Sequence, residues 1–127
     1  MAGTLVIDTL SNGSVSTSST NCIQGSAKAW VNLNGTTGAI KASYNVSSTT
    51  RNASGNYTIN FTNAFANTNY CWSGSAGNDN INGTLWLAAP PLVALSTWKQ
   101  TGSINVVSSF SNTLYGDAAD ISFLALR

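Results

Sequence analysis

The stretch Asn56–Thr62, NYTINFT, sets Tyr57, Ile59 and Phe61 against Asn56, Thr58, Asn60 and Thr62. A period of two puts one set on each face of a strand and fits no helix, whose faces repeat every 3.6 residues or so. The alternation recurs between turn signals. Ala27–Leu33 (AKAWVNL) places Ala27, Ala29, Val31 and Leu33 on one side and Trp30 on the other. Ala39–Val46 (AIKASYNV) groups Ile40, Ala42 and Tyr44 apart from Lys41 and Ser43. Asn69–Ala76 reads as a strand around Tyr70 and Trp72, and Ser103–Phe110 as another. In Asp120–Leu126 (DISFLAL), Ile121, Phe123 and Ala125 share one face; Ser122, Leu124 and Leu126 share the other. Turn clusters at Asn34–Gly38, Arg51–Gly55 and Gly77–Asn80 separate these segments. Leu85–Leu95 is the most apolar stretch, but Pro90 and Pro91 exclude a central strand through that point. It divides into Thr84–Ala88 and Val93–Trp98. Seven or eight strands, with no helical period longer than one turn, predict an all-β fold. Residues 27–127 are expected to form a single antiparallel β-sandwich, with a jelly-roll or immunoglobulin-like strand order left open.

Residues 1–26 differ from the rest and are expected to form an extended N-terminal arm. Thr4–Leu10 (TLVIDTL) is a short apolar run, Asn12-Gly13 is a turn signal, and a Ser/Thr tract follows. That tract carries too little apolar surface to build a core of its own. A polar arm of this kind lies on its own domain, on a sister subunit or on a neighbouring protein. The plainer alternative is an edge strand followed by a loop. The candidate contact residues for an oligomer or a larger particle are Leu5, Val6, Ile7 and Leu10 in the arm, with Leu85, Leu87, Leu92 and Val93 in the apolar stretch.

Charge then narrows the partners. Of 127 residues only nine are charged, 7% of the chain, against about 25% in an average soluble domain. They are Asp8, Lys28, Lys41, Arg51, Asp79, Lys99, Asp117, Asp120 and Arg127. A net charge of +1 without a basic cluster neutralises few phosphates, so nucleic acid is not an expected partner. No apolar run approaches the roughly 18 residues of a membrane span, so no membrane insertion is expected. No basic region followed by a long apolar stretch marks a signal peptide at the N-terminus. A β-protein so short of charge has little electrostatic protection against self-association, so its edges are expected to be covered in an oligomer.

The chemistry of catalysis is thin. Histidine is absent, which removes Ser-His-Asp and Cys-His arrangements. Asp117 and Asp120, in a turn beside Gly116, are the candidate cation ligands, but one pair falls far short of an oxygen cage. Turn capping and solvated charge is the competing reading. Cys22 and Cys71 are too few for a zinc site. They either pair in a disulfide or remain free, partly buried thiols, as a reducing cytoplasm favours. No phosphate-binding glycine loop is present. The chain is therefore expected to be non-enzymatic, with no catalytic, cofactor-binding or metal-ligating residues and no cofactor. Asn-x-Ser/Thr triplets, among them those starting at Asn12, Asn45, Asn52, Asn56, Asn60 and Asn82, are expected by chance in so Asn/Ser/Thr-rich a chain.

The aromatic residues allow a binding hypothesis. Trp30, Trp72, Trp86 and Trp98, with Tyr44, Tyr57, Tyr70 and Tyr115, are candidates for a glycan-facing platform. Ring faces stack on sugar C–H surfaces while neighbouring amides bond the hydroxyls. The competing reading places each ring in the core or a subunit interface.

Ala27–Ala76 also carries a resemblance. The marks are AKAWVNLNG at Ala27–Gly35, SYNVSS at Ser43–Ser48 and GNYTINFT at Gly55–Thr62, followed by AFANTNY at Ala64–Tyr70. Together they resemble a domain of tail-fibre-like virion proteins of tailed bacteriophages, many aquatic or marine. The resemblance implies a non-catalytic virion structural protein, typically a homotrimer, whose partners are other phage virion proteins of the tail or the major capsid protein, and a host surface glycan. It implies synthesis in the bacterial host cytoplasm and a final place on the phage tail or head surface. It carries over no catalytic or ligand residues. A fibre also needs an anchoring domain and a shaft, which this chain is expected to lack. Three functions follow: a fibre tip or receptor-binding module of a tail fibre; a capsid decoration (cement) protein stabilising the head; and, as the outsider, a glycan-processing enzyme.

Overall fold

The computed structural model of the chain describes residues 3–77, 86–90, 95–111 and 114–127. In chain order the elements are β1 (Thr9–Ser11), β2 (Ser16–Ser18), α1 (Ser19–Gly25), β3 (Ala27–Leu33), β4 (Ile40–Tyr44), β5 (Val46–Ala53), β6 (Asn56–Phe61), β7 (Cys71–Gly77), β8 (Trp86–Ala88), α2 (Leu95–Trp98), β9 (Ser103–Ser111), β10 (Leu114–Tyr115) and β11 (Asp120–Leu126). Two antiparallel sheets pack together in an all-β sandwich. The first has the order β4-β3-β11-β7. In the second, β9 pairs with β6, β10 and β8, and β6 pairs with β5.

The alternating segments supply the core as their period requires. Ala29, Val31 and Leu33 from β3 and Ile121, Phe123 and Ala125 from β11 point inward from the first sheet. Tyr57, Ile59 and Phe61 from β6 and Ile104 and Val106 from β9 meet them from the second. Phe65 and Tyr70, on the connection to β7, close one end of this layer. Their rings stack with centroids 4.3 Å apart, and Phe61 meets Phe65 edge-on at 5.0 Å. Such offset and edge-to-face pairs add to the stabilisation from burial alone.

Asn45 turns the chain from one sheet to the other. It has a φ of +54°, the left-handed region that Asn tolerates better than most residues. Its side chain holds the corner. Nδ2 donates to the Lys28 carbonyl at 3.0 Å, and Oδ1 accepts from the Asn63 backbone N–H at 2.8 Å. Because β4 and β5 lie on either side of this corner in different sheets, β5 was not expected as a separate strand. It is an edge strand with nearly every side chain exposed, so VSSTTRNA carries no apolar alternation.

Other departures have local causes. Ile40, Ala42 and Tyr44 were expected to share one face of β4, but a bulge sets Ile40 opposite buried Leu33 while Ala42 and Tyr44 lie opposite Asn32 and Trp30. The β3–β4 register pairs Ser43 with buried Val31 and Tyr44 with Trp30, and a bulge follows. Residues opposite one another share a face, so Ser43 turns inward and Tyr44 outward. The expected strand Val93–Trp98 is instead a helical turn over Leu95–Trp98, with 93–94 outside the described residues. In the arm, only the last two residues of the apolar run Thr4–Leu10 are in a strand, β1, which pairs with β2 in the Ser/Thr tract, and a short helix, α1, starts at the end of that tract. Ser18 caps it by accepting from the Asn21 N–H at 3.1 Å. That cap is the reason a polar tract without apolar period turns helical here. The Asn12-Gly13 turn closes the β1–β2 hairpin as expected, with Gly13 at φ +92° and Asn12 Oδ1 accepting from Val15 N–H at 2.9 Å.

Candidate functional site

The outer face of the first sheet carries an aromatic row beside a polar one. Strand register sets it row by row. Leu124 of β11 lies opposite Trp30 of β3 on one side and Ser73 of β7 on the other, and Trp30 lies opposite Tyr44 of β4. The next row runs Ala42, Asn32, Ser122, Ser75. The first row therefore presents two aromatic rings and a leucine; the second presents small hydroxyls, a methyl and an amide. Trp30, Leu124 and Tyr44 are 38%, 39% and 59% exposed. Between the tall side chains and the low floor runs a groove of about 370 Å³, lined by Trp30, Asn32, Ser73, Ser75, Ser122 and Leu124.

An ion pair closes one end of this face. Lys41 Nζ lies 2.5 Å from Asp120 Oδ1, and Asn32 Nδ2 donates to Asp120 Oδ2 at 2.9 Å and to Ser122 Oγ at 3.1 Å. The lysine and then the Asn32 amide hold the Asp120 carboxyl below its ordinary value. Three strands thus converge on one carboxylate that stays ionised and orients the amide at the groove floor.

Asp117, three positions earlier, does structural work. Arg51 grips it in a bidentate pair, Nε to Oδ1 at 3.0 Å and Nη2 to Oδ2 at 2.5 Å. Oδ1 also accepts from the Gly55 N–H at 2.9 Å. These contacts, the arginine foremost, pull the Asp117 carboxyl down to about 2, while burial and the adjoining carboxylate push the Tyr57 hydroxyl up to about 12. Asp117 and Asp120 therefore face different partners and do not share a site; the capping reading describes Asp117 better than the cation reading.

No family model matches the chain, nor does any curated protein or solved structure.

The four tryptophans separate into two kinds. Trp72 and Trp98 meet edge-on with ring centroids 6.0 Å apart, Trp72 stacks on Phe123 at 6.0 Å, and both pack against the core. Trp30 lies in the open row, and Trp86 is exposed on β8, away from it. Of the tyrosines, Tyr57 and Tyr70 are core residues and Tyr44 joins the row. Among the contact candidates, Leu5 and Val6 are 80% and 86% exposed and Leu10 is also exposed, whereas Ile7 is half-buried. Leu87 is half-buried and packs against the core. Leu85, Leu92 and Val93 lie outside the described residues. Val15 and Ile23 extend the arm's apolar surface, at 71% and 64% exposure, and were not singled out from the sequence. Their signal was present: each is a lone apolar residue in a polar tract. Cys22 and Cys71 are free thiols, exposed rather than partly buried.

Proposed function

We propose that this chain is a non-enzymatic structural protein of a bacteriophage particle, a tail-fibre-type component that acts as a fibre tip or receptor-binding module by assembling into a homotrimer. The observation that carries this reading is the arm. Leu5, Val6, Val15 and Ile23 are all more than 60% exposed within a segment that has its own hairpin and helix. An apolar surface with defined secondary structure, on a chain with only nine charges, is suited to being covered by another subunit. The resemblance over residues 27–76 supplies the phage setting, in which the partners are other virion proteins and a host surface glycan.

The same arm suits a second reading, a capsid decoration protein whose N-terminal segment lies on the head lattice. Immunogold electron microscopy of purified particles, with quantitative mass spectrometry of copy number, separates the two. Label at the tail and tens of copies or fewer supports the fibre component. Label over the head and hundreds of copies supports decoration. Particles without the protein refute both.

A glycan-processing enzyme is disfavoured by the carboxylates. A glycoside hydrolase needs one carboxyl that keeps its proton near neutral pH. Asp117 and Asp120 are both held below the ordinary range by cationic partners, so neither suits that role.

A further inference from the structure

We infer that the outer face of the β4-β3-β11-β7 sheet is a binding site for an uncharged glycan, with the Trp30 indole as the stacking surface and Asn32, Ser73, Ser75 and Ser122 as the hydroxyl-binding floor. The inference deepens the receptor-binding reading and rests on it for its setting.

Chemistry selects the ligand. A sugar ring presents an apolar C–H face on one side and hydroxyl groups around its rim. It therefore needs a flat apolar wall beside short groups that both donate and accept hydrogen bonds. The groove has that form: Trp30 and Leu124 stand beside three serine hydroxyls and an amide. Its volume of about 370 Å³ falls within the range of small-molecule sites, roughly 300–1,000 Å³. The Asn32 amide is oriented in advance by Asp120 and Ser122, which lowers the ordering cost of binding.

Charge selects the class of glycan. The ionised pair at this face, Lys41 and Asp120, is self-neutralising at 2.5 Å, so the floor offers no unbalanced charge to an acidic sugar. A larger hollow of about 630 Å³ carries Lys28 and Arg127 instead, so an acidic ligand would be drawn there rather than to the serine floor.

A second copy of the chain fits this face poorly. A stable subunit interface buries on the order of 1,600 Å² around an apolar centre. Here three partly exposed apolar side chains border a floor of serines, whereas the arm exposes Leu5 and Val6 almost fully. The opposite outer face also carries an exposed ring, Trp86, opposite Ser109 of β9, but its polar groups already engage one another. Its Asn52, Asn56, Thr58 and Asn105 side chains hydrogen-bond to one another, with Asn52 Nδ2 to Thr58 Oγ1 at 2.8 Å and Asn105 Nδ2 to Asn56 Oδ1 at 2.8 Å.

The test uses the full-length chain on an array of neutral hexose and N-acetylhexosamine oligosaccharides, alongside sialylated and sulfated ones and a decaproline peptide. The expected result is binding of at least one neutral oligosaccharide, weakened at least tenfold by Trp30→Ala and by Ser75→Trp, which fills the floor without removing the ring. Trp86→Ala should leave binding unchanged. Thermal melting and light scattering on the same variants should show an unaltered fold and an unaltered oligomer. Binding confined to acidic glycans or to decaproline, binding indifferent to both groove variants, or no binding by a folded protein would overturn the site. So would a change of oligomeric state on Trp30→Ala, which would make the face a subunit interface. Loss of assembly by arm variants with glycan binding retained would leave the site standing; a folded monomer that still binds glycan would refute only the assembly reading.

Discussion

The Tyr57 hydroxyl lies 2.9 Å from Asp117 Oδ1, joining the middle of one sheet to the loop that leads into the central strand of the other. The same hydroxyl is 3.0 Å from the Gly35 carbonyl oxygen on the β3–β4 connection. Gly35 leaves room for this approach: a Cβ there would sit 2.3 Å from the Ala118 carbonyl oxygen and 2.8 Å from the Tyr57 hydroxyl. One tyrosine, one aspartate and one glycine thus lock three connections at the end of the sandwich.

Removing the aspartate should be costly. Asp117→Ala strips partners from the Arg51 guanidinium, the Gly55 N–H and the Tyr57 hydroxyl together. Hydrogen bonds to a charged group contribute about 1.5–3 kcal/mol each, without full additivity. A loss of about 2–3 kcal/mol is expected, read as a lowered urea midpoint at unchanged slope. Tyr57→Phe, which keeps the buried ring, should cost about 1–2 kcal/mol.

Acid should weaken the fold through the same residue. Asp117 titrates at about 2 when folded and near the ordinary value of about 3.9 when unfolded. The folded state therefore binds this proton more weakly. Its stabilising effect is fully present above about pH 4 and is lost as pH falls toward 2. Asp120, also lowered, adds in the same direction. The urea midpoint should fall between pH 5 and pH 2, and Asp117→Asn should flatten that fall; an unchanged slope in the variant would contradict the assignment.

The sheet-switching corner makes a separate prediction. Asn45→Ala places a side chain without hydrogen-bonding capacity at a φ of +54°, at a cost of about 1–2 kcal/mol in backbone strain. It also removes the contacts to Lys28 and Asn63, for a total loss of about 2–3 kcal/mol. Asn45→Gly relieves the strain and should recover about 1 kcal/mol of it. Equal melting curves for the two variants would show that conformation at this corner has no energetic weight.

The core was legible in the sequence because its strands are half-buried. Tyr57, Ile59 and Phe61, like Ile121, Phe123 and Ala125, alternate with polar neighbours and face inward as that alternation requires. The edge strand β5 was not, since a strand wet on both faces leaves no period to detect. Nor was the groove. Trp30 stood out as the residue facing away from Ala29 and Val31, but its neighbours Leu124 and Tyr44 come from distant segments through register, and the β3–β4 bulge decides which face Tyr44 takes. Helix α1 depends on a single Ser18 cap in a tract of serines and threonines, where several residues offer the same chemistry. The separation of Trp72 and Trp98 from Trp30 likewise follows from packing that no local pattern encodes.

Assembly through the arm is the claim on which the functional account rests, and sedimentation equilibrium of the full-length chain at micromolar concentration tests it most directly. The account predicts a trimer, with a Leu5→Ser/Val6→Ser double variant that keeps the same melting temperature for the sandwich but sediments as a monomer. An unaltered chain that is monomeric across this range, or a double variant that assembles as well as its parent, would contradict it.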